Sequence, residues 1–122
     1  MESIMSSDVG FSNTVILITR NGMGSGETEL QHDLLAKYLR LLMERGSLPT
    51  AMCFYTDGVR LVVEGSPFLE RLAQIQEQGV RLIVCATCLN YHGLLGEVRV
   101  GAIGSMADIL EAQLKADKVI TL

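Results

Sequence analysis

The sequence predicts an α/β fold, a three-layer αβα sandwich on a mostly parallel sheet of about five strands. Three observations carry this. Short apolar runs of strand length alternate along the chain with longer segments whose apolar residues recur at helical spacing. Thr14-Val15-Ile16-Leu17-Ile18-Thr19-Arg20 is continuously apolar in its middle, as a strand covered on both faces is. No repeat, low-complexity stretch or linker divides the chain, so residues 14–122 read as one domain behind a polar, loose tail at 1–13.

The elements follow in order. After the first strand, Asn21-Gly22-Met23-Gly24-Ser25-Gly26 breaks the pattern. A long amphipathic helix comes next, with Leu30, Leu34, Leu35, Tyr38, Leu41 and Leu42 on one stripe and Glu27 and Glu29 in the first turn, where negative charge suits the dipole. Gly46 and Pro49 end it. Ala51–Thr56 reads as the second strand, closed by Asp57-Gly58, and Val59–Val63 as a short strand or covered loop. Ser66-Pro67 opens a helix as N-cap and first residue, with Leu69, Leu72, Ala73 and Ile75 on its inner face and Gly79 as its stop. Val80–Val84 is the third strand. Val98–Val100 reads as a short strand and Gly101–Gly104 as a turn. Ser105 with Asp108 caps a last helix, whose inner face holds Ile109, Leu110 and Leu114, before a final strand at Lys118–Leu122.

Charge and composition bound the function. The chain has 122 residues, 10 basic against 14 acidic, and no basic run. A net charge of −4 argues against nucleic acid or an anionic membrane surface as the main partner. No apolar run approaches the roughly 20 residues of a membrane helix. The acidic start is not that of a signal peptide, so a cytoplasmic location is expected. With 48% apolar residues a well-covered core is expected, and Cys53, Cys85 and Cys88 in a reducing compartment do not make a disulfide scaffold.

Ligands of open α/β sheets sit beyond the carboxyl ends of the strands. Four features fall there: the glycine-rich loop at 21–26, Asp57-Gly58, the Cys85–Cys88 loop, and Gly101–Gly104. The cysteine pair stands out. A strand-to-helix turn can bring two thiols three residues apart to one site, and a helix capped by Thr87 would favour the thiolate that attacks sulfur or binds metal. Two small buried hydrophobes are the plain alternative. Among functional readings, a sulfur carrier takes sulfane sulfur from a donor persulfide, Cys85 being the expected nucleophile. Thioredoxin-type exchange finds no Trp, Gly-Pro or cis-proline candidate near the pair. Zinc would have Cys85, Cys88 and His92, one ligand short of a structural site. Neither a metal nor a cofactor is expected.

His92, four residues after Cys88, shares a helix face with it and could stabilise a thiolate, or be a solvated helix-end residue. Tyr91 suggests packing, His32 a surface residue, and Cys53 an inert strand residue. Met23, Gly24, Ser25 and Gly26 could cradle an anion or be a tight turn, and Met23 could line a lip beside the thiols. The loop lacks both the P-loop ending and the dinucleotide glycine spacing.

These residues resemble a family. Met23-Gly24-Ser25-Gly26 with Glu29-Leu30, Phe54-Tyr55 with Gly58-Val59 and Leu61, and above all Cys85-x-Thr87-Cys88-Leu89-x-Tyr91-x-Gly93 are similar to DsrE/DsrF-like proteins, with the nearest likeness to the DsrE-like domain of YedF-type proteins linked to selenium metabolism. In such carriers a reactive cysteine stands eight residues before a glycine, as Cys85 does before Gly93; Cys88 belongs to the YedF-like pattern. The resemblance implies a flavodoxin-like layering and a sulfurtransferase-like carrier of sulfane sulfur or selenium through Cys85. It implies Cys88 as hydrogen-bond partner or resolving thiol, and a pocket framed by Thr87, Asp57, Gly58 and the Gly24–Gly26 loop. It also implies a trimer or hexamer. YedF-type proteins begin with a TusA-like domain for which this chain has no room, so a separate TusA-like protein is an expected partner. A non-catalytic, oligomeric domain binding a small molecule or anion, or a dithiol redox protein using Cys85 and Cys88, is the alternative.

Overall fold

The computed structural model of the chain describes residues 13–122; the expected loose tail lies, but for Asn13, outside the described residues. In chain order the elements are β1 (Thr14–Ile18), α1 (Thr28–Arg45), β2 (Ala51–Phe54), α2 (Leu69–Glu77), β3 (Arg81–Cys85), α3 (Ala86–His92), β4 (Ala102–Gly104), α4 (Met106–Lys115) and β5 (Lys118–Thr121). Single 3-10 segments lie at Thr56–Val62 and Leu95–Glu97.

All strand pairings are parallel, in the order β4-β3-β2-β1-β5. From β1 to β4 the chain steps in one direction, and right-handed crossovers therefore put α1, α2 and α3 on one face of the sheet. The return from β4 to β5 crosses the whole sheet and puts α4 on the other. Every residue of β1 and β2 is buried, as is β3 after Arg81, because these central strands are covered on both sides. Their register sets Leu17 beside Cys53 and Cys53 beside Ile83 in mid-sheet.

Several sequence expectations shift. The fourth strand is Ala102–Gly104, read as a turn, while Val98 makes only one antiparallel bridge, to Val63. Gly101, at φ +89°, makes the turn and comes close to Leu82 and Val84. Val59–Val62 is the end of the Thr56–Val62 3-10 segment, with Val59, Leu61 and Val62 buried, and Val63 follows it into the bridge. Gly58 pins that segment to β1, since a Cβ there would lie 2.0 Å from the Ile18 carbonyl oxygen. Ser66 caps a turn rather than the helix: its Oγ accepts the Phe68 N–H, and α2 starts at Leu69. On α1, Leu35 and Leu39 are buried with Tyr38 and Leu42 against the core, while Leu30, Leu34 and Leu41 stay outside. On α4 only Ile109 is buried; Leu110 and Leu114 are 51% and 76% exposed. The Ser105–Asp108 capping box forms as the sequence predicts. The layers are those of a flavodoxin-like sandwich.

Candidate functional site

The carboxyl ends of β2 and β3 lie side by side in the sheet, so whatever follows each strand meets the other. Thr56 and Asp57 follow β2 and open the 3-10 segment; α3 follows β3 directly. Between them is an open cavity of about 370 Å³ lined by Thr56, Asp57, Thr87, Cys88, Tyr91 and His92. Cys88 and His92 reach it together because they are four residues apart on α3.

The two thiols occupy different surroundings. Cys85 ends β3 and is 1% exposed. Cys88, in the first turn of α3, is half-buried and lines the cavity. The sequence expectation names Cys85 as the thiol that meets a substrate; in the structure Cys85 lies in the core and Cys88 is the thiol that lines the cavity. The Thr56 backbone N–H donates to Cys88 Sγ at 3.0 Å. Thr56 does so from φ +47°, the single non-glycine residue at positive φ among the described residues. That conformation costs a β-branched residue roughly 1–2 kcal/mol, and the Thr56 hydroxyl holds it by donating to the Thr19 carbonyl. Strain of this kind collects at functional sites.

On balance the surroundings of Cys88 disfavour its thiolate. Burial pushes its thiol above the ordinary range, the hydrogen bond with Cys85 pushes it further, and the Thr56 N–H only partly offsets them. The expected activating helix dipole is weak here. α3 has seven residues, its N-cap is Cys85 with no side-chain cap bond, and Thr87 lies inside the helix rather than capping it. Cys53 is buried, and burial takes its thiol up to about 11, which disfavours its thiolate.

Asp57, Arg60 and His92 form one polar cluster at the cavity rim. Asp57 and Arg60 share a face of the 3-10 segment, three residues apart, with 3.6 Å between Oδ1 and Nε. An Arg60 Nη lies 3.2 Å from His92 Nδ1. A guanidinium only donates, so Nδ1 accepts and the neutral ring carries its proton on Nε2, 3.6 Å from Asp57 Oδ1. Tyr91 is 85% exposed and edge-on to His92, a rim residue rather than packing.

The other expected site residues lie elsewhere. Met23, Gly24, Ser25 and Gly26 do not line the thiol cavity. Their loop folds back on α1: the Met23 N–H donates to the Gln31 carbonyl and the Gln31 side-chain amide to the Gly26 carbonyl, and Met23 packs on the core. Gly58 is buried beneath the site. Residues 102–104 form β4 and border a different hollow with Gln76, Arg81 and Asp108, and Gly101 is the turn before them. His32 is half-buried rather than a plain surface residue; its ring stands edge-on to Phe68 and its Nε2 is buried without a partner among the described residues. Among the described residues no group of three or more His, Cys, Asp or Glu is placed to hold a metal ion. Thr56 and Arg60 are the site residues that sequence reading missed. Only their nearness to Asp57 pointed to them.

A small α/β domain with a paired thiol at its strand ends is the class this geometry defines. The sequence profile of the DsrE/DsrF-like family matches residues 13–122, and the chain belongs to that family, which is related to sulfur-relay proteins. No curated protein matches. Among solved structures, the ychN protein of E. coli superposes with TM-score 0.64 at 21% identity, covering 90% of this chain and 99% of its own. A protein of unknown function from Methanobacterium thermoautotrophicum does so with TM-score 0.68 at 20% identity, covering 90% and 98%. A conserved protein of unknown function from Bacteroides thetaiotaomicron gives 0.62 at 13% identity, covering 91% and 96%. At these identities the likeness is one of fold.

Proposed function

We propose that the chain is a sulfane-sulfur carrier working in a reducing, cytoplasmic setting, with Cys88 as the accepting thiol and Cys85 as the thiol behind it. One observation carries this: Cys88 Sγ faces the cavity with the Thr56 N–H aimed at it, while Cys85 is buried within hydrogen-bond reach. In the forward step the Cys88 thiolate attacks the outer sulfur of a donor persulfide R–S–SH. The S–S bond breaks, R–S⁻ leaves with the electron pair, and Cys88–S–SH forms. An acceptor thiolate then takes the outer sulfur in the same way, and Cys88 is regenerated. The Thr56 N–H stabilises the sulfur anion at each exchange. Selenium follows the same chemistry. Partner thiols, a separate TusA-like carrier among them, supply and remove the sulfur, and the chain works as a homo-oligomer.

The Cys85–Cys88 hydrogen bond favours one second reading, dithiol exchange. If Cys85 attacks the inner sulfur of Cys88–S–SH, a Cys85–Cys88 disulfide forms and hydrogen sulfide leaves. Intact-mass spectrometry of the reduced protein after a persulfide donor tests both. The carrier predicts a gain of one sulfur that Cys88→Ser abolishes and Cys85→Ser preserves. Loss of two hydrogens requiring both thiols establishes the second reading. A sulfur gain abolished only by Cys85→Ser reverses the assignment of roles, and no mass change in any variant overturns both readings in favour of a non-catalytic binding domain.

A further inference from the structure

Next to the thiol cavity is a second hollow that the sulfur exchange does not use. It has a volume of about 310 Å³ and is lined by Arg20, Asn21, Thr28, Gln31, Asp57 and Arg60. Asp57 borders both hollows, and Arg60 reaches His92 of the thiol cavity. The two are therefore neighbours across a wall one side chain thick.

The charge in the second hollow is unbalanced. Asp57 is the one carboxylate on its wall, and Arg60 lies 3.6 Å from it. Arg20 is exposed, and among the described residues its guanidinium has neither an ion-pair nor a hydrogen-bond partner. One positive charge is left over, with the Asn21 amide and the Thr28 hydroxyl beside it. A guanidinium fork matches the paired oxygens of a carboxylate, sulfonate or phosphate, and a solvated arginine without a partner is free to take one.

We propose that this hollow is an oxyanion subsite, and that the donor serving Cys88 is a small sulfur compound bearing an oxyanion. The inference rests on the sulfur-carrier reading and names the substrate class for it. The oxyanion sits at Arg20 and Arg60, and the sulfane sulfur crosses the Asp57 wall to Cys88. Cys88–S⁻ takes the outer sulfur, and the electrons of the broken S–S bond leave with the oxyanion-bearing fragment, the thiolate R–S⁻ from a persulfide or sulfite from thiosulfate.

The test uses reagents that differ in charge and transfer no sulfur. Iodoacetate and iodoacetamide alkylate Cys88 of the full chain, with the site followed by peptide mass spectrometry. Arg20→Gln is expected to slow iodoacetate about fivefold, the effect of one nearby surface charge, and to leave iodoacetamide unchanged; Arg20→Lys retains most of the iodoacetate rate. Equal changes for both reagents, or none for either, overturn the subsite. This outcome is independent of the carrier reading, which stands or falls on sulfur gain from a neutral persulfide. A second arm distinguishes the sources of the oxyanion. Sulfur uptake from a carboxylate-bearing persulfide and from inorganic thiosulfate is compared in wild type and Arg20→Gln. The donor whose uptake falls identifies the source, and a fall for neither overturns the substrate class.

Discussion

Cys85 and Cys88 differ by three residues in sequence and by the whole depth of the site in environment. Cys88 titrates above the ordinary thiol range, first because burial penalises its thiolate and then because Cys85 hydrogen-bonds its protonated form. With a raised pKa the thiolate is scarce at neutral pH and grows as pH rises through and beyond the range of a free cysteine. Iodoacetamide modification of Cys88 should accordingly have its pH midpoint above that of a free cysteine, and Cys85→Ala should lower it by removing what Cys85 contributes to the rise. An unmoved midpoint in Cys85→Ala would take Cys85 out of this account. The sequence carried part of this site openly. Cys88 and His92 are four apart on a helix, which decides their shared face without further knowledge. The direction of Cys85 was not legible, since it depends on where the pleat of β3 ends. Thr56 was invisible because a β-branched residue gives no sign of holding positive φ.

At the scale of elements, capping signals were read well and edge strands poorly. Ser105 accepts the Asp108 N–H at 3.3 Å, and Asp108 accepts the Ser105 N–H at 2.8 Å. Both bonds are local, so the four-residue pattern alone specified them. Ser105→Ala is expected to lower stability by about 1 kcal/mol, measured by denaturant unfolding at constant slope; an unchanged midpoint would show that packing alone holds the start of α4. By contrast, Val98–Val100 has the stronger strand propensity, yet Ala102–Gly104 pairs with β3. An edge strand forms where a neighbour offers backbone partners, and side-chain preference is secondary there. The glycine-rich loop was misplaced for a related reason. Its positive-φ glycines allow it to fold back on Gln31, a contact local composition does not announce.

Across the whole molecule, the long return from β4 to β5 leaves α4 on a face of its own, apart from α1, α2 and α3. Its Met106, Leu110 and Leu114 are spaced four apart and more than half exposed. The homo-oligomer reading expects a second copy of the chain on an apolar stripe of this kind. Sedimentation velocity should therefore show an assembly larger than a monomer, and Leu110→Glu with Leu114→Glu should shift it to monomer without changing the circular dichroism. A monomeric wild type would remove this assembly.

The sequence by itself determined the class of fold, the position of the central strands and the neighbourhood of the chemistry. These rest on periodicity, on uninterrupted apolar runs and on motifs whose parts are a few residues apart. Tertiary structure alone decided the strand order, the depth of each thiol, the reach of the Thr56 N–H to Cys88, and the meeting of Arg20 with Arg60. Each of those joins residues 19 or more positions apart or turns on the burial of a single side chain. Neither leaves a local pattern, because sheet pairing and packing, rather than the chain's own neighbours, bring such groups together.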